Sequence, residues 1–309
     1  MAVLASTGAH ADGPGAADGT APAIWRTRSA SVNPTALPLR NQHYVTDGPR
    51  PGDVYTCDAR MFQQTSAPGA RLVGPWVNEA EATYDVTRKP VVGGRVSYRD
   101  ARFAIGTTRA SRVITGNGLP VHAPTGTFPV RANDPAHLYD PNPNQVTAQR
   151  ISFTIPRHPV LAATPSCTYK EVGITIDGIQ VHVPLDSTGR DELAYEIQDA
   201  CTGSPQPGGA YHRHALSDCA PHVHDRVALV GYALDGFGIY SPYDAHSREL
   251  TSADLDACHG TTSRIPWEGK TVRMYHYVMT RDFPYTVACF RGTPTRNAFP
   301  PLPGAPPQR

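Results

Sequence analysis

The chain has 309 residues, and its 28 basic and 27 acidic side chains leave a net charge of +1. This balance argues against a basic nucleic-acid-binding surface, and no stretch reaches the ~18 apolar residues of a membrane helix. Proline contributes 31 residues, about twice its usual share of ~5%. We therefore expect many turns, short strands and few long helices.

The first eleven residues predict the remnant of a signal peptide. Ala2–Ala5 is a short apolar stretch, and Ala9-His10-Ala11 has the small-x-small form of a signal-peptidase site. An Ala/Gly-rich terminus without this role is the alternative. Export, to the cell exterior or the periplasm, would place the six cysteines in a compartment where disulfides persist.

Residues 12–40 are rich in small and polar side chains and predict a flexible linker. From about residue 41 to 168, short β segments bounded by turn residues predict an N-terminal β-rich lobe. The Pro-rich residues 294–309 predict a tail. The predicted strands of the lobe are Arg71–Val77, Val91–Tyr98, Arg102–Thr107, Ser111–Thr115 and Gln149–Ile155.

Residues 169–293 predict an internal repeat, because a set of landmarks recurs in the same order. Each copy has a hairpin around an Asp-Gly turn, a helical segment (Arg190–Ala200 or the shorter Ser252–Ala257), and a Tyr-His strand. We therefore expect a mainly β or α+β fold, in which two hairpin–helix–strand units pack with the N-terminal lobe. The paired landmarks are Asp177-Gly178 and Asp235-Gly236, Asp199–Gly203 and Asp256–Gly260, and Tyr211-His212 and Tyr275-His276.

The cysteines fit this repeat. One pair lies inside each copy, and the two remaining cysteines lie upstream. The lack of a Cys-x-x-Cys pair argues against a zinc ribbon or a thioredoxin-like site. We therefore predict a fold braced by the disulfides Cys57–Cys167, Cys201–Cys219 and Cys258–Cys289.

Histidines of the Tyr-His strands are the candidate site residues. Alternate residues of a strand point to one face, so His212 and His214 form a chelating half-site for Zn or Cu. His276 stands where His212 stands in the first copy, and facing strands from the two copies would supply three imidazoles. His122 in the N-terminal lobe is a candidate fourth ligand, and Asp235 a candidate catalytic base or hydrogen-bond partner near the metal.

Each of these residues also has an ordinary explanation. A lone histidine such as His122 or His182 is usually a hydrogen-bonded structural residue. An aspartate in an Asp-Gly turn, as at positions 177 and 235, is explained by the turn itself. A second His-x-His, His222-Val223-His224, lies in a Pro-flanked loop and is a weaker candidate.

Eight motifs carry a family resemblance: Gly116–His122, Asn142–Asn144, Gly209–His214, Leu229–Tyr240, Leu255–Gly260, Met274–Tyr277, Phe283–Tyr285 and Cys289–Gly292. Together they resemble those of the YHYH-domain family, which comprises secreted or periplasmic proteins of largely unassigned biochemistry. The resemblance covers about residues 45–293 and implies export and one architectural unit, but no reaction. Two positions depart from the family pattern, because Arg213 replaces the second tyrosine and Val278 replaces a histidine of the later strand.

The leading hypothesis is a secreted metal-binding protein that holds Zn or Cu. If the metal is catalytic, an open coordination position implies a metal-dependent hydrolase or oxidase of unknown substrate. The alternative is a non-enzymatic extracellular module whose tyrosine-rich strands bind a glycan, a peptide or another small molecule. A third is a structural domain with buried, satisfied histidines. No nucleic-acid or integral membrane partner is expected, and the oligomeric state is not predicted.

Overall fold

The computed structural model describes residue 25, residues 32–64 and residues 72–295. The predicted signal-peptide remnant and all but the first two residues of the predicted tail lie outside the described residues. Within the described residues the chain is mainly β, as predicted. No helix among them has the length and apolar character needed to cross a bilayer.

The N-terminal lobe consists of short strands in three small sheets. Their orders are β1-β5-β4, β2-β3 and β6-β7-β8. Single 3-10 turns cover Ala59–Phe62, Val86–Arg88 and Pro135–Leu138. The strands are β1 (Leu37–Pro38), β2 (Tyr44–Val45), β3 (Val54–Tyr55), β4 (Val77–Asn78), β5 (Thr83–Tyr84), β6 (Phe103–Thr107), β7 (Ser111–Gly116) and β8 (Ile151–Pro156).

The C-terminal part contributes one larger sheet, one short helix α1 (Glu192–Tyr195) and a 3-10 turn at Ser252–Asp254. The eight strands lie in the order β11-β12-β10-β9-β13-β14-β16-β15. They are β9 (Glu171–Thr175), β10 (Gln180–His182), β11 (Gly203–Pro205), β12 (Tyr211–Arg213), β13 (Leu229–Ala233), β14 (Gly238–Tyr240), β15 (Gly260–Trp267) and β16 (Lys270–Val278).

The two sides of this sheet have matching strand orders. At the centre β9 pairs antiparallel with β13. Outward from this pair, each side has an antiparallel hairpin partner (β10 or β14), then a parallel strand (β12 or β16), then an antiparallel edge strand (β11 or β15). We call β9–β12 the first half and β13–β16 the second half. That the halves arose by duplication remains a prediction.

Both Asp-Gly dipeptides form the predicted hairpin turns. Gly178 and Gly236 have φ values of 88° and 91°, in the left-handed region that favours glycine. The chain hydrogen-bonds across each turn, from Thr175 N to Ile179 O and from Ala233 N to Phe237 O, both at 2.9 Å. The local turn signal is therefore sufficient to place both hairpins.

The recurring Asp-Ala-Cys-x-Gly segments contact the tyrosines of the Tyr-His strands. The Tyr211 hydroxyl donates to Asp199 Oδ1 at 2.9 Å, and the Tyr275 hydroxyl donates to Asp256 Oδ1 at 3.0 Å. A Cβ on the glycine of either motif would lie 2.3 Å or less from the hydroxyl of the same tyrosine. Each motif therefore supplies an acceptor for a buried tyrosine and the space that its ring requires.

The departure at Arg213 has a structural counterpart in the second half. Arg213 Nη1 lies 2.9 Å from Asp177 Oδ2, and both side chains are buried. At the corresponding place the Tyr277 hydroxyl donates to Asp235 Oδ2 at 2.6 Å. The arginine thus replaces a tyrosine–aspartate hydrogen bond by an ion pair, and it points away from the face of its neighbouring histidines, as the alternation of a strand requires.

All three predicted disulfides are confirmed, Cys57–Cys167, Cys201–Cys219 and Cys258–Cys289. Buried apolar side chains of both lobes belong to one hydrophobic core. Polar contacts also join the lobes, since Trp76 Nε1 donates to Ala194 O and the hydroxyls of Tyr84 and Tyr285 hydrogen-bond, each at 2.8 Å. The N-terminal lobe therefore packs directly on the large sheet.

Some predicted elements differ from those observed. The segment Val91–Tyr98 contains only isolated bridges, since Pro90, Gly93 and Gly94 interrupt it. The helix expected at Arg190–Ala200 is a single turn, because Glu196 is already extended with ψ 148°. Part of the predicted linker is ordered, since Leu37–Pro38 forms β1 and pairs with β5.

The buried ion pair gives a stability prediction. Arg213→Leu leaves the Asp177 carboxylate buried without its counter-ion, so we expect the free energy of unfolding to fall by about 3–5 kcal/mol. Arg213→Tyr places a phenol where Tyr277 stands in the second half, and we expect it to recover at least ~1 kcal/mol through the new hydrogen bond. Urea unfolding followed by tryptophan fluorescence measures both values. Equal losses for the two variants would contradict this interpretation of the position.

Candidate metal centre

Three histidines meet on one face of the first half. His182 ends β10, and His212 and His214 belong to β12 and the residue after it. The strands are parallel, with Gln180 opposite His212, so the next alternate positions place His182 opposite His214. One nitrogen from each ring lies within 4.8 Å of the nitrogens of the other two. The ring centroids of His182 and His212 are 4.2 Å apart.

Two of these imidazoles are oriented by main-chain oxygens. Nδ1 of His212 lies 3.2 Å from Ala210 O, and Nδ1 of His214 hydrogen-bonds to Val183 O. A carbonyl can only accept, so each Nδ1 carries the proton and each Nε2 keeps its lone pair. This is the arrangement in which protein histidines usually bind a metal, with the second ring nitrogen donating to an oxygen.

His182 is the unusual member of the cluster. Its side chain is 0% exposed, and neither ring nitrogen has a hydrogen-bond partner among the described residues. Its nearest carboxylate atom is Glu171 Oε1, 3.9 Å from Nε2. Leaving buried polar atoms without a partner costs free energy, and such atoms call for an explanation in terms of water, an ion or function.

Burial keeps the three imidazoles neutral. It lowers the pKa of His182 and His212 well below the ordinary value, and the neighbouring histidines act in the same direction. Burial also lowers the pKa of His214, although the Glu196 carboxylate opposes this shift. The neutral ring is the form that binds a metal ion, so the cluster does not need to lose protons at neutral pH.

Carboxylates adjoin the cluster on two sides. Glu192 Oε1 lies 3.9 Å from His214 Nε2, as Glu171 Oε1 does from His182 Nε2. Gln198 holds Glu192 in place, since its Nε2 donates to Glu192 Oε1 at 2.7 Å. Burial raises the pKa of the Glu192 carboxyl to about 7. These groups provide oxygen atoms beside the three nitrogens, and Glu192 adds negative charge only in its ionised form.

The expected meeting of His276 with His212 and His214 is wrong. Four strands separate β12 from β16 in the sheet, because the hairpin strands β9 and β13 pair at the centre and carry the Tyr-His strands outward. His276 instead packs against Tyr240, with ring centroids 5.0 Å apart. His122 is exposed in the loop after β7 and is not among the clustered histidines.

The second half offers no equivalent cluster. By strand register, Tyr240, His276 and Val278 stand where His182, His212 and His214 stand in the first half. A single imidazole with an aliphatic and a phenolic neighbour lacks the donor set of a transition-metal site. The pairing of β10 with β12 would have identified His182 as a member of the cluster. This parallel pairing joins strands that are far apart in the chain, and no local sequence pattern predicts it.

Asp235 has a complete set of structural contacts. Its Oδ2 accepts from the Tyr277 hydroxyl at 2.6 Å and from Gly292 N at 2.8 Å, while Oδ1 accepts from Phe237 N at 3.2 Å. Burial raises its pKa. These contacts account for a buried aspartate in a hairpin turn, and the catalytic role of Asp235 stays a prediction.

The tyrosines of the Tyr-His strands do not form a surface. Tyr211, Tyr275 and Tyr277 are at most 5% exposed. Their hydroxyls donate to the carboxylates of Asp199, Asp256 and Asp235 instead of facing a ligand. A glycan or peptide would therefore have to bind elsewhere on the molecule.

Comparison with known proteins gives one match. Residues 152–252 match the family model described as YHYH protein. No curated protein and no solved structure matches the chain. The matched segment runs from β8 to the 3-10 turn at Ser252–Asp254 and includes His182, His212 and His214. The match thus supports the resemblance to the YHYH family over this segment, and the same segment carries the histidine cluster.

Proposed function

We propose that this protein binds a transition-metal ion, Zn²⁺ or Cu²⁺, through His182, His212 and His214. The observation that carries the proposal is His182, a fully buried imidazole with no hydrogen-bond partner among the described residues, packed against two imidazoles of fixed orientation. A metal ion would satisfy one of the two His182 ring nitrogens that the described residues leave without a partner. The nitrogen-rich donor set suits Zn²⁺ and Cu²⁺ better than Mg²⁺ or Ca²⁺.

The spacing of the nitrogens supports this proposal. Zn–N bonds of 2.0–2.1 Å in a tetrahedral site put ligand nitrogens about 3.3 Å apart. In the structure the three nitrogens are within 4.8 Å of one another. Among the described residues His182 has no hydrogen bond that would oppose a rotation of its ring towards a shared ion.

The burial of the cluster favours a closed centre over an open catalytic one. The three histidines are exposed by 0%, 4% and 6%, which leaves little room for a substrate at the metal. A structural or metal-holding centre needs no such access, whereas a hydrolase or oxidase needs an open coordination position. We therefore place metal binding first and metal-dependent catalysis second.

We also infer that the protein is exported. Three disulfides brace the described residues, and none of the six cysteines is free. Disulfides of this kind persist in secreted and periplasmic proteins and are rare in reducing compartments. Detection of the mature chain in the extracellular or periplasmic fraction tests this inference.

Metal content of variants tests the proposed centre. We expect one Zn²⁺ or Cu²⁺ per chain after dialysis against the ion and buffer. His182→Ala should weaken binding by more than ~100-fold, beyond the ~10–100-fold typical of losing an outer hydrogen-bond partner. Isothermal titration calorimetry and elemental analysis measure the affinity and the stoichiometry.

His276→Ala is the matched control for this experiment. His276 corresponds to His212 in the second half and is similarly buried, with 3% against 4% exposure. The control should keep the metal, while His182→Ala and His212→Ala lose it. Retention of the ion in a His182/His212/His214 triple alanine variant would refute the proposed site, and a protein that binds no ion would leave the histidines as structural residues.

Proton release on metal binding tests the protonation state. Because burial lowers the pKa of all three histidines, and lowers that of His182 and His212 well below the ordinary value, we expect metal binding at pH 6 to release less than one proton. Three ordinary histidines with a pKa of ~6.5 would release about two protons at pH 6. Calorimetry in buffers of different ionisation enthalpy measures the number of protons released per bound metal ion. A number of released protons that rises towards two as the pH falls from 7 to 6 would contradict the expectation. A proton released by metal-bound water can be told apart, because its release decreases as the pH falls.

A further inference from the structure

A groove lies on the three-stranded sheet of the N-terminal lobe, and none of the clustered histidines lines it. Its volume is about 420 Å³, within the ~300–1,000 Å³ of small-molecule sites. Each of the three strands β6, β7 and β8 contributes to its walls. The lining residues are Arg102, Phe103, Ala104, Thr115, Gly116, Arg150, Ile151 and Ser152.

Two arginines flank small residues on one face of this sheet. Ala104, Thr115 and Ser152 are opposite one another across the three strands, and all three are exposed. Arg102 and Arg150 come two residues before Ala104 and Ser152, so they share this face. The two arginines therefore lie at one end of a row of small side chains. Two of these side chains, Thr115 and Ser152, carry hydroxyl groups.

The Gly-Asn-Gly motif after β7 fixes the distance between the two arginines. Asn117 is buried, and its Oδ1 accepts from Arg102 N at 2.9 Å while its own N–H donates to Arg102 O at 3.0 Å. On its other side, Asn117 O accepts from Gln149 N at 2.8 Å. One buried residue, Asn117, thus holds the backbone of both arginine-bearing segments. The Gly-Asn-Gly motif therefore has a structural role in the groove, separate from the histidine cluster.

Close backbone approach explains the first glycine of the motif. A Cβ on Gly116 would lie 2.8 Å from Arg102 O, so a larger residue would push the Arg102 strand outward. The groove is therefore built by the fold and does not depend on flexible side chains alone.

The arginines are available to a ligand. Both are exposed, and neither has an ion-pair partner among the described residues. Other arginines of the lobe are neutralised, as Arg112 and Arg157 are by Glu268 at 2.8 Å. Two unpaired guanidinium groups at a groove of this size fit an oxyanion, which arginine binds with paired hydrogen bonds.

We propose that this groove binds an anionic sugar. Arg102 and Arg150 hold its carboxylate or phosphate group, and Thr115 and Ser152 hydrogen-bond to its hydroxyls. The assignment is independent of the metal centre, because no histidine of that cluster lines the groove.

Binding of simple probes tests the groove. Glucuronate and glucose 6-phosphate should bind, and glucose should not, while inorganic phosphate should bind more weakly than glucose 6-phosphate. The difference between the two anionic sugars shows whether carboxylate or phosphate is preferred. Each of Arg102→Gln and Arg150→Gln should weaken binding by about tenfold, the effect of losing hydrogen bonds to a charged group. Calorimetry at low ionic strength measures these affinities, and chelators should leave them unchanged.

Arg109→Gln is the matched control. Arg109 lies in the turn at the other end of the β6–β7 hairpin, is exposed, and changes the net charge equally. Amide hydrogen exchange with and without glucose 6-phosphate gives a second readout, in which protection should rise at 102–104, 115–116 and 150–152. Absence of binding by both anionic sugars at millimolar concentration, equal binding of glucose, or equal losses in the control and the groove variants would overturn the proposal.

Discussion

The antiparallel pairing of β9 with β13 determines where the rest of the large sheet lies. Gly173 and Gly231 make this central contact possible, since a Cβ on either would lie 2.7 Å from a carbonyl oxygen of the partner strand. With the two hairpins joined there, the parallel strands and edge strands of each half can only extend outward in opposite directions. The separation of His212 from His276 follows from this contact and not from any property of the histidines.

The two halves share their framework and differ in their chemistry. Each has a tyrosine bonded to an aspartate of the Asp-Ala-Cys-x-Gly segment and a disulfide that begins at the cysteine of that segment. Only the first half places three imidazoles on the face beside these supports. The buried tyrosines and their aspartate partners therefore belong to the architecture, and the residues on the alternate face are free to differ between the halves.

Local signals in the sequence predicted more than long-range ones. The Asp-Gly turns, strands β6 to β8 and the disulfide pairs depend on nearby residues or on elimination, and they are confirmed. The place of His276 and the membership of His182 depend on which strands pair across the sheet. Alternation showed that His212 and His214 share a face, but it cannot show that β10 is the parallel neighbour that brings His182 to it. The expected helix at 190–200 failed for a similar reason, because packing favours an extended chain from Glu196 onward.

The Cys201–Cys219 bond encloses β11 and β12, and with them His212 and His214. Two of the three nitrogen donors thus sit in a covalently closed loop, while His182 belongs to a hairpin outside it. The Cys201–Cys219 disulfide restricts the conformations that His212 and His214 can adopt in the unfolded chain. It therefore lowers the conformational entropy that is lost when the three histidines come together. If the protein binds the proposed metal ion, a newly made chain would gain its full affinity only after this disulfide has formed, so oxidation would precede metal binding.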